Sequence, residues 1–283
     1  MGGNRRKLVA SYYRRLRMKS VPETLGAVLD PRRLGAHVRN IVAGEVRERT
    51  NPYRRTFSRP DEARFCADIL DRPLADVVAA FDELDADEAF LRDLSERYAR
   101  LRPEWPDGLD PGRFRIWYAI VRLRRPGVVV ETGVHDGLSS ALILRALDRN
   151  ERGEMVSVDL PSVDLPTGAP GWLVPEALRS RWNLRLGDAR RLLPEVAERY
   201  ARVDVFVHDS DHAREHREFE FRTMKPVLSA AEGPVAAPAG LLLSDDDDDD
   251  LLDVLAAEWS AARFRVRCAL PGDDTAHIGG VCL

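Results

Sequence analysis

The segment GVVVETGVHDGLSS at residues 127–140 constrains the fold most strongly, because an apolar run stops there at an acid and a turn that contains two glycines. The run from Val128, interrupted only by Glu131 and Thr132, is typical of a strand buried on both faces, and residues 139–147 have the apolar spacing of a helix. In an open parallel sheet this junction lies at the carboxyl ends of the strands, where ligands bind. The sequence therefore predicts a strand, a glycine loop and a helix beside a ligand.

The spacing of the two glycines narrows the choice of ligand. Gly133 and Gly137 form G-x-x-x-G, whereas a dinucleotide pyrophosphate loop usually has G-x-G-x-x-G, so a pyrophosphate site is disfavoured. A second apolar run ends in Asp159, where doubly wound folds place an acid that accepts hydrogen bonds from ribose hydroxyls. These features predict a ligand with a nucleoside part. The alternative, an ordinary strand-to-helix turn, leaves Asp159 unexplained.

The rest of the C-terminal half repeats strands and helical segments. It contains NLRLGDARRLLPEV, VDVFVHDSDH, GLLLSDDDDDD and a closing pair, RFRVRCAL and HIGGVCL, joined by a PGDD turn. Strands that alternate with helices favour a parallel sheet with right-handed crossovers, and a short final pair adds one antiparallel strand near the edge. The predicted fold class is α/β.

In their order and spacing, the pieces VVETGVHDGLSS, VSVDLP, LGDARRLLP, DVFVHDSDH and LLLSDD resemble the class I S-adenosylmethionine-dependent methyltransferases. Within that class they are similar to methyltransferase family 24, the small-molecule and sugar O-methyltransferase-like branch. The resemblance spans residues 113–283 and implies a Rossmann-like, seven-stranded, mostly parallel sheet with an antiparallel C-terminal strand.

The resemblance also implies S-adenosylmethionine (SAM) as the cofactor. The residues assigned to it follow three strand ends: Glu131, Gly133, Gly137 and Ser139 around the methionine part, Asp159 at the ribose, and Asp188 with Ala189 at the adenine. One alternative is an NAD-dependent oxidoreductase, which would share Asp159 but should carry the pyrophosphate loop. Another is a catalytically inactive Rossmann-like scaffold or regulatory protein.

Acids also follow the fourth and fifth strands, where Asp209 and Asp211 end one apolar run and Asp245 and Asp246 end the next. Adjacent strand ends converge, and hard cations such as Mg²⁺ prefer oxygen ligands. The matching positions in metal-dependent catechol and sugar O-methyltransferases are ligands, so the resemblance implies a divalent cation on Asp209, Asp245 and Asp246. Such a cation lowers the pKa of a substrate hydroxyl and orients it. The predicted reaction is methyl transfer from SAM to a hydroxyl of a small molecule, a sugar or a secondary metabolite.

His212 lies three residues after Asp209, where metal-dependent relatives often carry a basic residue, and an imidazole that titrates near neutrality can take the hydroxyl proton. We predict His212 as the catalytic base and His208 as a structural residue; the alternative is that His212 caps a helix or bonds to backbone. Zinc is a second metal hypothesis, because His212 and His216 would share a helical face, but H-A-R-E-H differs from the zincin pattern H-E-x-x-H. A third hypothesis is that no metal binds and the acids contact substrate or only end a strand.

The six consecutive aspartates at residues 245–250 depart from the family pattern, so the register of the ligand pair is open. The first two follow the apolar strand directly and are the better ligand candidates. We expect residues 247–250 to form a solvated acidic loop or the first turn of the helix LLDVLAAEW, where acids favour the helix dipole.

Residues 1–110 carry several helical patterns and no glycine loop, and turn-forming residues at 106–112 mark a boundary before a methyltransferase domain at residues 111–283. In related enzymes such extensions cover the substrate cleft or form dimer contacts, so this region is a candidate for a cap or for the contact of a homodimer. The first 22 residues hold five arginines, two lysines and no acid. This basic arm either contacts an anionic surface or is a solvated terminal helix, and the second outcome is the commoner.

The composition is that of an ordinary folded protein. The chain has 283 residues, 44% of them hydrophobic, which suffices for one α/β core and a smaller helical layer. It carries 43 basic and 47 acidic side chains, so it does not resemble a dedicated nucleic-acid binder. No apolar stretch approaches the roughly 20 residues that span a bilayer, and no apolar signal region is evident at the start. We therefore expect a cytoplasmic protein.

Overall fold

The described part of the chain is built around one β-sheet. A computed structural model describes residues 58–101, 109, 114–161, 165, 167, 169–229, 239–245, 247–267 and 277–283. The strands of the sheet are β1 (Val128–Thr132), β2 (Glu154–Asp159), β3 (Trp182–Leu186), β4 (Val205–His208), β5 (Leu241–Ser244), β6 (Ala262–Arg267) and β7 (His277–Cys282). Among the described residues, four helices precede β1, namely α1 (Arg59–Leu70), α2 (Leu74–Asp85), α3 (Glu88–Leu101) and α4 (Arg115–Arg124). Four more lie between strands: α5 (Leu138–Arg149), α6 (Ala189–Arg199), α7 (Arg214–Leu228) and α8 (Leu251–Trp259).

The strand order is β3-β2-β1-β4-β5-β7-β6 among the described residues. Strands β1 to β5 pair in parallel, and β7 runs antiparallel to both β5 and β6. The prediction of a Rossmann-like, mostly parallel seven-stranded sheet with an antiparallel C-terminal strand is confirmed. The order reverses between β1 and β4, and in open α/β sheets the crevice at such a switch point is where ligands bind.

The central strands are apolar on both faces because helices cover both sides of the sheet. Successive residues of a strand point to opposite faces. Val129 therefore packs in one apolar cluster with helices α1 to α5, and Val130 packs in a second cluster with α6, α7 and α8. Both valines are 0% exposed, which explains the nearly continuous apolar run that the sequence shows at β1.

The helices before β1 share the apolar core of the sheet. Phe65 and Ile69 of α1 lie against Gly280 of β7, where an added Cβ would come within 2.4 Å of Ile69 Cδ1. Residues Tyr53–Leu283 form one compact unit. The domain division near residue 110 stays a prediction, and the basic arm at residues 1–22 lies outside the described residues. None of the described helices is both long and apolar enough to cross a bilayer.

Candidate functional site

The ends of β1, β2 and β4 meet at one edge of the sheet. Thr132, the last residue of β1, is aligned with Val158 of β2 on one side and with His208 of β4 on the other. The residues at the ends of these strands therefore lie side by side. They include the loop at residues 133–137, named the cofactor loop from here on, together with Asp159 and Asp209.

The cofactor loop needs glycine at both of its ends. Gly133 has a φ of +81°, and a Cβ there would lie 2.0 Å from the backbone oxygen of Asp209. Gly137 has a φ of +89°, and a Cβ there would lie 2.7 Å from the Cα of Gly171. Gly137 is also the N-cap of α5 and provides no side-chain cap. The first amide groups of α5 thus face the loop without a capping side chain, an arrangement that favours an anionic group of a ligand.

Glu131 and Ser139 lie beneath the cofactor loop. The carboxylate of Glu131 is 0% exposed and accepts hydrogen bonds from the hydroxyls of Ser139 at 2.7 Å, Ser140 at 2.6 Å and Ser157 at 2.9 Å. Burial raises the pKa of Glu131 to about 7, although the three hydrogen bonds act to lower it. These contacts anchor the start of α5 to β1 and β2. The predicted contact of Glu131 and Ser139 with the methionine part of the cofactor stays a prediction.

Asp159 holds the cofactor loop from the side of β2. One of its carboxylate oxygens accepts hydrogen bonds from the amides of Val134 at 3.0 Å and His135 at 2.8 Å, and the other accepts from Leu160 at 2.7 Å. A carboxylate offers about four acceptor positions, so these three bonds leave room for a ribose hydroxyl. Asp159 is half-buried, and a ligand in the crevice can reach it.

Asp188 lies at the next strand end. Its carboxylate caps α6 by accepting a hydrogen bond from the amide of Arg190 at 2.8 Å, and Ala189 is the first residue of that helix. The amide of Gly187 donates to the backbone oxygen of Asp159 at 2.8 Å. The structure therefore brings the predicted ribose and adenine residues to neighbouring strand ends, with Asp188 exposed beside Asp159.

The predicted acceptor residues lie on the other side of the cofactor loop, after β4 and β5. The amide of Asp209 donates to the oxygen of Thr132 at 2.8 Å, and the amide of Asp245 donates to the oxygen of His208 at 3.0 Å. His212 Nε2 lies 4.0 Å from a carboxylate oxygen of Asp209, and the two side chains are 31% and 26% exposed.

The metal prediction is only partly covered by the described residues. Asp245 is 2% exposed and lies directly after β5, beside the end of β4, whereas Asp246 lies outside the described residues. Within the part of the chain that the structure describes, no group of three His, Cys, Asp or Glu side chains has the arrangement of a metal site. Metal binding at Asp209, Asp245 and Asp246 stays a prediction.

A buried carboxylate that the sequence did not reveal ties β1, β4 and α7 together beneath the acceptor residues. Glu220 is 0% exposed and accepts hydrogen bonds from Thr132 at 2.5 Å, His208 at 2.7 Å, Ser210 at 2.9 Å and His216 at 2.8 Å. Burial alone would raise the pKa of Glu220, but the two histidines outweigh it and hold the pKa well below its usual range. The bond to Glu220 likewise outweighs burial for His216 and raises its pKa.

This network also corrects the zinc hypothesis. Helix α7 begins at Arg214, so His212 precedes the helix, and the shared helical face required for a His212–His216 pair does not form. His216 instead bonds to Glu220. His208 is 0% exposed and bonded in the same network, which agrees with the structural role predicted for it.

The expectation of a solvated acidic loop at residues 247–250 was wrong for Asp247 and Asp249, whereas Asp248 and Asp250 are exposed. Asp247 is 0% exposed and forms ion pairs with Arg263 and Arg265 of β6. Asp249 forms an ion pair with the buried Arg217 of α7, and α8 begins only at Leu251. The arginines that bury these acids lie on other elements, so the local charge run gave no sign of them.

Comparisons with known proteins agree with this geometry. The family model described as a methyltransferase domain matches residues 130–246. No curated protein matches the sequence significantly. The O-methyltransferase from Bacillus cereus in complex with S-adenosylhomocysteine (SAH) has a TM-score of 0.50 at 16% identity, covering 70% of this chain and 91% of its own.

Two further solved structures are similar at lower TM-scores. The O-methyltransferase TomG from Streptomyces achromogenes, involved in tomaymycin synthesis and in complex with SAM, has a TM-score of 0.49 at 16% identity and covers 69% of this chain and 90% of its own. A methyltransferase from Geobacter sulfurreducens has a TM-score of 0.46 at 20% identity and covers 73% and 90%. Residues 130–246 therefore match the model of a methyltransferase domain, and they lie on a sheet with this strand order.

Proposed function

We propose that the protein transfers the sulfonium methyl group of SAM to a hydroxyl of a small molecule, a sugar or a secondary metabolite. The observation that carries the proposal is the meeting of two sets of residues at one sheet edge. The cofactor loop, Asp159 and Asp188 lie on one side of the β1–β4 switch point, and Asp209 with His212 lies on the other. A methyl group held between the two sets would face an acceptor bound at the ends of β4 and β5.

The residues present fit SAM. Asp159 retains an acceptor position for a ribose hydroxyl, and Asp188 and Ala189 begin a helix at the neighbouring strand end. The N-terminus of α5, capped by no side chain, suits the carboxylate of the methionine part. The G-x-x-x-G loop lacks the glycine spacing of a dinucleotide pyrophosphate site. This spacing and the family match both disfavour the NAD oxidoreductase.

Methyl transfer needs positioning more than covalent chemistry by the protein. The acceptor oxygen, the methyl carbon and the sulfur must lie nearly in line, and holding them so supplies much of the acceleration. We assign His212 as the base that takes the hydroxyl proton on its imidazole. Asp209, 4.0 Å from His212 Nε2, would stabilise the imidazolium that results. The bond from acceptor oxygen to methyl forms as the carbon–sulfur bond breaks, and SAH leaves neutral.

A divalent cation, most simply Mg²⁺, is part of the proposal. Asp209 and Asp245 follow the paired residues His208 and Ser244 on adjacent strands, which lie about 4.8 Å apart in a sheet. Mg²⁺ is usually held by one or two carboxylates and several waters, so this pair fits it, with Asp246 as the third candidate. When bound, the cation would lower the pKa of the acceptor hydroxyl and orient it.

Transfer of a labelled methyl group tests the proposal. The full chain is incubated with methyl-labelled SAM and a panel of sugars and catechols, with Mg²⁺ or with EDTA. The proposal predicts a labelled product that survives mild alkali, as an ether does, and a rate that falls in EDTA. Label released by mild alkali would indicate a methyl ester instead, and an unchanged rate in EDTA would remove the cation from the proposal.

Three further predictions remain proposals about the whole protein. The extension at residues 1–110 covers the acceptor cleft or forms the contact of a homodimer. The basic arm at residues 1–22 contacts an anionic surface. The protein works in the cytoplasm.

A further inference from the structure

The cofactor loop is hydrogen-bonded to Trp172, a side chain that is distant in sequence. The indole N–H of Trp172 donates to a carboxylate oxygen of Asp136, in the middle of the loop, at 2.6 Å. Asp136 is 1% exposed and Trp172 is 8% exposed. A buried carboxylate requires hydrogen-bond donors, and bonds to a charged acceptor are stronger than neutral ones. Trp172 therefore fixes the position of Asp136.

Backbone contacts beside Trp172 also fix the position of the cofactor loop. The amide of Gly171 donates to the oxygen of His135 at 2.8 Å, and the amide of Leu173 donates to the oxygen of Asp136 at 2.9 Å. The Cα of Gly171 also lies so close to Gly137 that no Cβ fits between them. The loop is thus packed against residues 171–173 at His135, Asp136 and Gly137.

Trp172 is itself held by the helical layer that precedes the sheet. Its ring stacks on Tyr98 of α3, with centroids 6.2 Å apart and planes inclined by 22°. Tyr98 is 1% exposed. A continuous series of contacts therefore runs from α3 through Tyr98 and Trp172 to Asp136 and the cofactor loop.

We propose that Trp172 is a positioning residue for the methyl donor, which together with Asp159 holds the cofactor loop in its binding conformation. This proposal rests on the proposed function, because it assumes that SAM binds at the loop. Asp159 fixes the amides of Val134 and His135, and Trp172 fixes Asp136. If the hydrogen bonds of Asp159 or of Trp172 are removed, the loop populates other conformations. The apparent affinity for SAM then falls with the fraction of molecules whose loop keeps the binding conformation.

The test measures SAH affinity by calorimetry and the midpoint of thermal unfolding on the full-length protein. Trp172→Phe keeps a ring against Tyr98 and removes the N–H donor, whereas Asp136→Asn keeps an acceptor oxygen for the indole. Trp117→Phe is the matched control, since Trp117 is 1% exposed and its indole N–H has no hydrogen-bond partner among the described residues. We expect Trp172→Phe to weaken SAH binding about tenfold. Asp136→Asn should stay within about threefold of the parent.

The control separates positioning from general stability. Trp117→Phe should lower the unfolding midpoint and leave SAH affinity within about twofold of the parent. The proposal is overturned if Trp172→Phe binds SAH as the parent does, or if Trp117→Phe loses as much affinity as Trp172→Phe. A parent protein that binds no SAH would instead refute the proposed function, which keeps the two failures distinct.

Discussion

Glu131 is a carboxylate whose ionisation opposes folding, and replacing it with glutamine isolates that effect. It is 0% exposed, and burial raises its pKa to about 7 from an ordinary value of 4.5. Each pH unit between the folded and unfolded pKa corresponds to about 1.4 kcal/mol. The ionised carboxylate therefore costs the folded state about 3 kcal/mol once the pH is well above 7.

The direction of the pH dependence follows from the order of the two pKa values. Because the folded pKa is the higher one, the folded state binds the proton more tightly than the unfolded chain does. This contribution to stability is fully present below pH 4.5 and is lost as the pH rises through about 7. From pH 5 to pH 8 the parent should lose about 2 to 3 kcal/mol through Glu131, whereas Glu131→Gln has no proton to lose.

Urea unfolding at pH 5, 6, 7 and 8, followed by circular dichroism, measures this difference. Relative to the parent, the free energy of unfolding of Glu131→Gln should rise by about 2 to 3 kcal/mol between pH 5 and pH 8. Glu218→Gln on α7, which neutralises a partly exposed carboxylate that pairs with Arg222, serves as the control and should follow the parent. If the gap between Glu131→Gln and the parent is the same at pH 5 and pH 8, the reasoning about Glu131 is refuted.

Three further predictions concern the two halves of the site. Asp159→Ala removes the acceptor of two loop amides and should weaken SAH binding at least about tenfold by calorimetry. Asp148→Ala, on the exposed side of α5, should leave SAH binding unchanged. If Asp159→Ala binds SAH as tightly as the parent does, the ribose assignment is overturned. Glu220→Gln should lower the free energy of unfolding by about 2 kcal/mol and lower the pKa of His216 in an NMR titration. An unchanged pKa of His216 would contradict the ion pair between His216 and Glu220. His212→Ala should reduce methyl transfer by about 100-fold with SAH affinity unchanged; a parent-like rate across neutral pH would remove His212 as the base.

The fold could be predicted from the sequence because its signals are local. The apolar runs at β1 and β4, each ended by an acid, mark strands buried on both faces. The glycines at 133 and 137 mark a turn whose positive φ angles strongly favour glycine. Strand periodicity and turn chemistry act over a few residues, so a single sequence carries them fully.

The contacts that complete the site are long-range and left no local signal. Glu220 reads as one charge on a helix face, and only the packing of α7 against β4 brings it under His208 and Thr132. Trp172 is 36 positions from the aspartate it binds. Asp247 looked like part of a solvated run because the arginines that bury it come from β6. In each case the partner is set by the tertiary fold rather than by spacing along the chain.

The central claim is that the edge formed by β1, β2 and β3 binds a sulfonium nucleoside. Calorimetric titration of the purified full-length protein with SAM, SAH and NAD, each with Mg²⁺ and with EDTA, tests it most directly. We expect micromolar binding of SAM and SAH and no binding of NAD. A folded protein that binds neither SAM nor SAH would contradict it, and binding of NAD alone would move the assignment to a nicotinamide-dependent oxidoreductase.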